Sequence, residues 1–138
     1  MAKTTQDIMK FIQEEGIQMV DFKIVDINGQ FRHVTIPASQ FNEDTMRDGI
    51  GFDASNYGYA VVEKSDMVFI PDPDTATIDP FCEIPTLSMT GNAMIIDSPE
   101  NRPLAQYPRN IVLAAEKYMQ DSGIADTMLI LPEFEFYL

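Results

Sequence analysis

Residues 20–36 carry the pattern of a β-hairpin, and this segment constrains the fold of the chain more than any other. Apolar residues alternate with polar ones over residues 20–24, so the apolar side chains share one face of a strand. Asn28-Gly29 follows, a pair preferred in two-residue hairpin turns. The extended pattern then resumes over residues 31–36 until Pro37 ends it. The sequence therefore predicts an antiparallel strand pair near the amino terminus.

Helical and further extended patterns surround the hairpin. Apolar residues at positions 8, 11 and 12 share one face of a first helix, which Thr4 or Thr5 can cap and which Gly16 can follow. A polar loop with Asp53 is predicted at residues 51–60. The other predictions for this part are a short irregular helix at 38–48 and strands at 67–70, 75–78 and 87–96, with a break at Gly91. Together these elements predict an α+β domain.

The pattern changes after a connector at residues 97–104 that contains two prolines. Pro108 is tolerated as the first residue of a helix, apolar residues follow at helical spacing, and Gly123 ends it. Residues 127–138 are predicted to form a long strand. Because one helix and one strand cannot bury their apolar faces alone, we expect residues 105–138 to begin a second domain of a longer chain.

The predicted last strand carries two carboxylates on one face. Glu133 and Glu135 would lie about 7 Å apart, with Phe134 and Phe136 on the opposite face. Adjacent like charges are costly unless water or cations compensate them, and Mg²⁺ or Mn²⁺ prefer oxygen ligands. The pattern alone leaves two interpretations open, a divalent-metal site or an ordinary strand with a solvated acidic face.

The composition limits the compartment and the partners. With 22 acidic residues against 9 basic ones the net charge is −13, which argues against binding to nucleic acid or to an anionic membrane surface. The single cysteine, Cys82, excludes an intramolecular disulfide and fits a cytoplasmic protein. No apolar run is long enough to span a bilayer. We therefore predict a soluble cytoplasmic protein in which Cys82 is buried or half-buried.

Several segments resemble the amino-terminal part of type I glutamine synthetase. The hairpin at residues 20–37 is similar to the opening hairpin of that family. Gly51-Phe52-Asp53-Ala54-Ser55 resembles its Phe-Asp-Gly-Ser-Ser loop, and residues 65–81 follow in the family's order. The segment 115–136, which ends in Pro132-Glu133-Phe134-Glu135-Phe136, is the best match. The resemblance covers nearly the whole chain.

The resemblance implies a fold and an activity. It implies a β-grasp-like domain over residues 1–104, followed at 105–138 by the first helix and strand of a truncated catalytic domain. Members of the family activate glutamate with ATP as γ-glutamyl phosphate, from which ammonia displaces the phosphate. The implied protein is a glutamate–ammonia ligase that forms a dodecamer, with active sites between neighbouring subunits.

The resemblance also implies roles for individual residues. Glu133 and Glu135 would each ligate a different divalent cation, Mg²⁺ or Mn²⁺, while the other ligands would lie beyond residue 138. Asp53 would reach into the active site of a neighbouring subunit, bind ammonium and take its proton. Two carboxylates make a poor metal site on their own. We therefore expect weak metal binding and no activity from residues 1–138 alone.

The chain departs from the family pattern beside Asp53. Ala54 stands where glycine is usual, and alanine resists the positive φ that glycine accepts. Asn56 stands where the second serine is usual. These departures leave open a ligase that joins glutamate to a polyamine or another amine. A non-catalytic β-grasp interaction module and a catalytically inactive regulatory relative also remain open.

Two further residues carry expectations. His33 is the only histidine, and we expect a structural or surface residue in a hairpin strand opposite apolar neighbours. Arg109 resembles an arginine at the family's junction between linker and helix, where a capping or salt-bridge role is implied.

Overall fold

The computed structural model describes residues 3–97 and 99–138, which form three α-helices, eight strands and four short 3₁₀ helices. The α-helices are α1 (Thr5–Glu14), α2 (Glu43–Asp48) and α3 (Pro108–Asp121). The strands are β1 (Met19–Val25), β2 (Phe31–Pro37), β3 (Ile50–Asp53), β4 (Asp66–Pro71), β5 (Thr77–Ile78), β6 (Thr86–Met89), β7 (Gly91–Ile95) and β8 (Arg102–Pro103). The 3₁₀ helices are Ala38–Gln40, Ala54–Tyr57, Val62–Lys64 and Pro73–Thr75. The predicted α+β class is confirmed.

The strands form two four-stranded sheets. The first has the order β2-β1-β6-β5 and the second the order β3-β4-β7-β8. β1 and β6 run parallel, and every other pairing is antiparallel. The rings of Phe22 in β1 and Phe69 in β4 meet edge to face with centroids 6.3 Å apart, and both side chains are fully buried. The core therefore lies between the two sheets.

The predicted hairpin is confirmed, but its turn differs from the prediction. The register pairs Val25 with Phe31, so the loop contains five residues rather than two. The backbone N–H of Gly29 donates to the Asp26 carbonyl at 3.0 Å, and Gly29 alone in this turn has a positive φ, of 83°. The Asp26 carboxylate accepts bonds of 2.9 Å from the backbone N–H groups of Asn28 and Gln30, which stabilises the wider turn.

Most of the remaining predictions for residues 4–96 are also confirmed. Thr4 caps α1 through a capping box with Asp7, and Gly16 follows the helix with a φ of 63°. The predicted irregular helix is split into Ala38–Gln40 and α2, and the segment predicted as a loop begins with β3. The strand predicted at 67–70 is present within β4, whereas the strand predicted at 75–78 is confirmed only for Thr77–Ile78, because Thr75 ends a 3₁₀ helix.

Gly91 marks the point where the chain passes from one sheet to the other. β6 before it belongs to the first sheet and β7, which begins with it, to the second. A Cβ atom on Gly91 would lie 2.2 Å from the carbonyl oxygen of Ile70. The predicted break is confirmed, and its cause is the close approach of two backbones, which only glycine permits.

The prediction of a strand at residues 127–138 is wrong. This segment has no regular secondary structure, and the side chains of Phe134 and Phe136 are 85% and 77% exposed. A strand needs a partner for its backbone hydrogen bonds and a surface for its apolar face. The described part of the chain provides neither a pairing strand nor a covering surface for this segment. Cys82 is also exposed, so the prediction of a buried or half-buried thiol is wrong.

The connector and the start of α3 pack against the two sheets. Leu104 and Tyr107 are buried, and α3 begins at Pro108 as predicted, with Gly123 following it at a φ of 68°. Buried packing thus continues past residue 104, where the sequence predicted the boundary between the two domains. That boundary stays a prediction. No helix within residues 3–97 and 99–138 is long and apolar enough to cross a membrane.

Candidate active site

Asp53 lies where β3 ends and the chain turns into a 3₁₀ helix. In the β3–β4 pairing it stands opposite Asp66, and it caps the amino terminus of the helix Ala54–Tyr57. The backbone N–H of Ala54 donates to the Ser65 carbonyl at 2.8 Å, while the Ala54 side chain is fully buried. The core thus anchors the residue after Asp53, and the Asp53 side chain itself is exposed.

Three donors from its own loop hold the Asp53 carboxylate. Its Oδ1 accepts from the Ser55 hydroxyl at 2.6 Å and from the Ser55 backbone N–H at 2.9 Å, and its Oδ2 accepts from the Asn56 amide at 3.2 Å. Hydrogen bonds from the Ser55 hydroxyl, from Ser65 and from the Ser55 backbone lower the pKa of Asp53. Asp53 is therefore an exposed, oriented carboxylate that stays ionised at neutral pH, which suits it to bind a small cation.

A groove of about 620 Å³ separates Asp53 from β2. Its lining consists of Phe31, Arg32, His33, Val34, Phe52, Asp53, Asn56 and Tyr57. The rings of Phe52 and Tyr57 meet edge to face at 5.2 Å and form its buried floor. The Arg32 guanidinium is paired with Asp26 at 2.9 Å, so its charge is largely neutralised beside the groove.

The substitutions beside Asp53 do not strain the backbone. No residue other than glycine has a positive φ in the described ranges, so Ala54 does not need the conformational freedom of glycine. Its methyl group packs in the core instead. Asn56 donates to Asp53 through its amide, and a serine at this position would have a shorter side chain for that contact.

The structure does not bring Glu133 and Glu135 together with Asp53. Both glutamates are exposed in the segment without regular structure, and neither lines the groove beside Asp53. Among residues 3–97 and 99–138, no group of three or more histidine, cysteine, aspartate or glutamate side chains could hold a metal ion. Because Mg²⁺ is held by a few carboxylates together with waters and other oxygen ligands in octahedral geometry, the described part of the chain supplies at most part of a metal site.

Comparison with known proteins decides the family. The family described as glutamine synthetase, β-grasp domain, matches residues 16–95. The chain belongs to the glutamine synthetase family. The matched range contains Asp53, its three donors and both sheets apart from β8, so the candidate site lies in the family's β-grasp domain.

Curated relatives match the chain over nearly its whole length. Glutamine synthetase of Mycolicibacterium smegmatis is 41% identical over 137 residues, covering 99% of this chain and 28% of the relative. Glutamine synthetase of Frankia alni is 39% identical over 139 residues, covering 100% and 29%. A 3-hydroxylaminophenol mutase of Cupriavidus pinatubonensis is 37% identical over 139 residues, also covering 100% and 29%. The chain thus spans less than a third of the length of these relatives.

Solved structures share the fold. A GmaS–ADP complex aligns with a TM-score of 0.74 and 20% identity, covering 84% of this chain and 26% of that one. Plasmodium falciparum glutamine synthetase aligns with a TM-score of 0.70 and 16% identity, covering 88% and 23%. The β-grasp-like amino-terminal domain predicted from the sequence is confirmed.

A second polar cluster of this glutamine synthetase domain, on the hairpin, was missed by the sequence analysis. Asp21 is only 3% exposed, and its carboxylate contacts Lys23 at 2.8 Å, Thr35 at 2.5 Å and Nδ1 of His33 at 2.7 Å. His33 is a surface residue, as expected, but its cross-strand neighbour is Lys23 rather than an apolar residue. The hairpin register could have revealed the cluster, because it places these polar residues on one face.

We predict that Asp21→Asn destabilises the domain at neutral pH. Burial raises the pKa of Asp21, but hydrogen bonds from Lys23, Thr35 and His33 outweigh it and leave the pKa below its usual value. A depressed pKa gives stability that is present above about pH 4 and is lost as the pH falls through the folded-state pKa. Loss of a charged hydrogen-bonding partner costs about 1.5–3 kcal/mol. Urea unfolding should show that difference at pH 7 and a smaller one near about pH 3, which lies below the unfolded-state pKa of an aspartate.

The exposed Asp44 provides a control for this test, since it is also an aspartate that pairs with a basic residue, Arg47. Asp44→Asn should leave the unfolding midpoint near the wild-type value at both pH values. An Asp21→Asn penalty that stayed constant across this pH range would show that the carboxylate charge is not its source.

Proposed function

We propose that the chain is the amino-terminal region of an ATP-dependent glutamate–ammonia ligase. The observation that carries the proposal is the identity of 41% with a glutamine synthetase across 99% of the chain. The position of Asp53 supports it, because an ionised carboxylate is fixed at the rim of a groove within the matched domain. Glutamate, ammonium and ATP would be the substrates of the whole cytoplasmic protein, which assembles with neighbouring subunits into a dodecamer.

In this proposal Asp53 binds ammonium and then accepts a proton from it. The negative charge attracts the cation, and removal of one proton from ammonium releases neutral ammonia, which can attack an activated carboxyl group. The low pKa of Asp53 favours the ionised form, so the residue is a strong cation receptor and a weak base. Ser55 and Asn56 orient the carboxylate through hydrogen bonds to its two oxygens.

Glu133 and Glu135 are proposed as metal ligands only within the whole protein. Each would supply one carboxylate to Mg²⁺ or Mn²⁺, and the remaining ligands would come from residues outside positions 1–138. The exposure of both side chains supports this proposal, because an exposed carboxylate is free to join ligands from another part of a protein. Residues 105–138 would be the start of the catalytic domain.

The test is an activity assay on the protein encoded by the full reading frame. We expect glutamine and phosphate from glutamate, ammonium, ATP and Mg²⁺, whereas residues 1–138 alone should form neither. The same assay should include primary amines and polyamines in place of ammonium. Product formed with an amine but not with ammonium would show that the acceptor is that amine. No turnover with any acceptor would favour the interaction module or the inactive relative.

A second candidate comes from the mutase relative. Its identity of 37% lies close to the 41% of the first glutamine synthetase, and this difference is too small to separate the two activities. The full-length protein should therefore also be incubated with 3-hydroxylaminophenol without ATP. Rearrangement of that compound, together with no glutamine formation, would assign the mutase activity instead.

A further inference from the structure

Helix α3 is attached to the rest of the domain through its first turn only. Residues 108–110 are half-buried, whereas residues 111–118 and 120–138 are exposed. Most helices in globular proteins are oriented by burying an apolar face. In this chain the direction of α3 must instead be set by the few side chains at its start.

Arg109 joins that first turn to two different parts of the second sheet. Its Nη2 forms an ion pair with Oδ2 of Asp72, which follows β4, and its Nε donates to Oδ1 of Asn92 in β7 at 3.0 Å. The Arg109 and Asp72 side chains are only 29% and 26% exposed, so the pair is partly shielded from water. A planar guanidinium that meets two acceptors at once fixes an orientation as well as a distance.

Asn110 and Tyr107, close to Arg109 in the sequence, connect the start of α3 to further parts of the domain. The Asn110 amide donates to the carbonyl oxygens of Ala93 at 2.8 Å and Leu104 at 2.9 Å. Tyr107, fully buried at the start of the helix, accepts from the Val25 backbone N–H at 3.3 Å. The contacts thus reach the first sheet, the second sheet and the connector.

We propose that Arg109 and Asn110 are positioning residues that set the direction in which α3 leaves the β-grasp domain. The 14 residues of α3 span about 21 Å. A tilt of about 10° at its base would therefore move its far end by about 4 Å. This direction sets where the segment that leads from α3 to Glu133 and Glu135 begins, and a misplacement of about 1 Å in an active site can cost about 10²-fold in rate. That functional consequence rests on the proposed ligase activity, whereas the orientation itself does not.

The orientation is tested on the 138-residue chain by residual dipolar couplings. In the wild type, α3 and both sheets should share one alignment tensor. Arg109→Lys keeps the charge but loses the planar fork, and Asn110→Ala removes the double amide contact. Each variant should reduce the alignment of α3 relative to the sheets, while the chemical shifts of sheet residues away from the contacted Asn92 and Ala93 stay unchanged. A shared, unchanged tensor in both variants would overturn the proposal.

Arg102→Lys is the matched control, because Arg102 pairs with Asp97 at an exposed site in the connector, with side chains 61% and 52% exposed. It should leave the tensor of α3 as in the wild type, and an equal loss in this control would also overturn the assignment to Arg109. In the full-length protein, Arg109→Lys should lower kcat by about 10-fold or more with the KM for ATP unchanged. A wild-type protein without ligase activity would refute the proposed function, and the couplings would still decide the orientation.

Discussion

Replacing Asp53 by asparagine in the full-length protein is expected to lower kcat/KM for ammonium by about 10²–10⁴-fold. Asparagine has the same shape and can still accept the Ser55 hydrogen bonds through its carbonyl oxygen. It has no negative charge, so it neither attracts ammonium nor accepts its proton. The fold should be retained because the Asp53 side chain is exposed. Steady-state kinetics with varied ammonium, together with circular dichroism, measures both effects.

Asp66→Asn is the matched control for charge. Asp66 stands directly opposite Asp53 in the β3–β4 pairing and is exposed, so both substitutions remove one negative charge from the same sheet edge. We expect Asp66→Asn to keep near wild-type kcat/KM. Equal losses in the two variants would show that the local negative charge, rather than the position of Asp53, supports the reaction. An Asp53→Asn protein with full activity would remove Asp53 from the mechanism.

The fold of residues 4–96 was predictable where local chemistry decides the structure. The alternation over β1, the capping residue Thr4 and the glycine at position 91 each correspond to a feature of the structure. The hairpin turn was not predictable from Asn28-Gly29 alone. The Asp26 carboxylate competes for the backbone N–H groups of the loop and selects a five-residue turn.

The last segment shows why periodicity alone is insufficient. The alternation at 132–138 satisfies the strand pattern, yet a strand exists only when another backbone completes its hydrogen bonds. The same reasoning explains why only part of the candidate site could be predicted from the sequence. Asp53 is oriented by residues close to it in sequence, so its setting could be predicted in part. Glu133 and Glu135 are exposed and lie in a segment without regular structure, so the described residues do not fix their positions.

The core prediction with the largest effect on stability concerns Phe69. This side chain is fully buried in β4, and its ring meets that of Phe22 from the other sheet at 6.3 Å. Phe69→Ala therefore removes contacts that join the two sheets and leaves a cavity between them. We expect a loss of about 3–5 kcal/mol, which is a large part of the roughly 5–15 kcal/mol that stabilises a typical domain. Thermal unfolding should show a Tm lower by about 10–20 °C.

Phe81→Ala separates loss of core packing from loss of an aromatic ring as such. Phe81 is 94% exposed, so the same substitution there removes almost no buried contact. Its free energy of unfolding should stay within about 0.5 kcal/mol of the wild type. Urea unfolding of both variants measures the difference directly. Equal stabilities would show that the two sheets do not depend on the Phe22–Phe69 contact, because the gap left by Phe69 would then be filled by rearrangement of neighbouring apolar side chains.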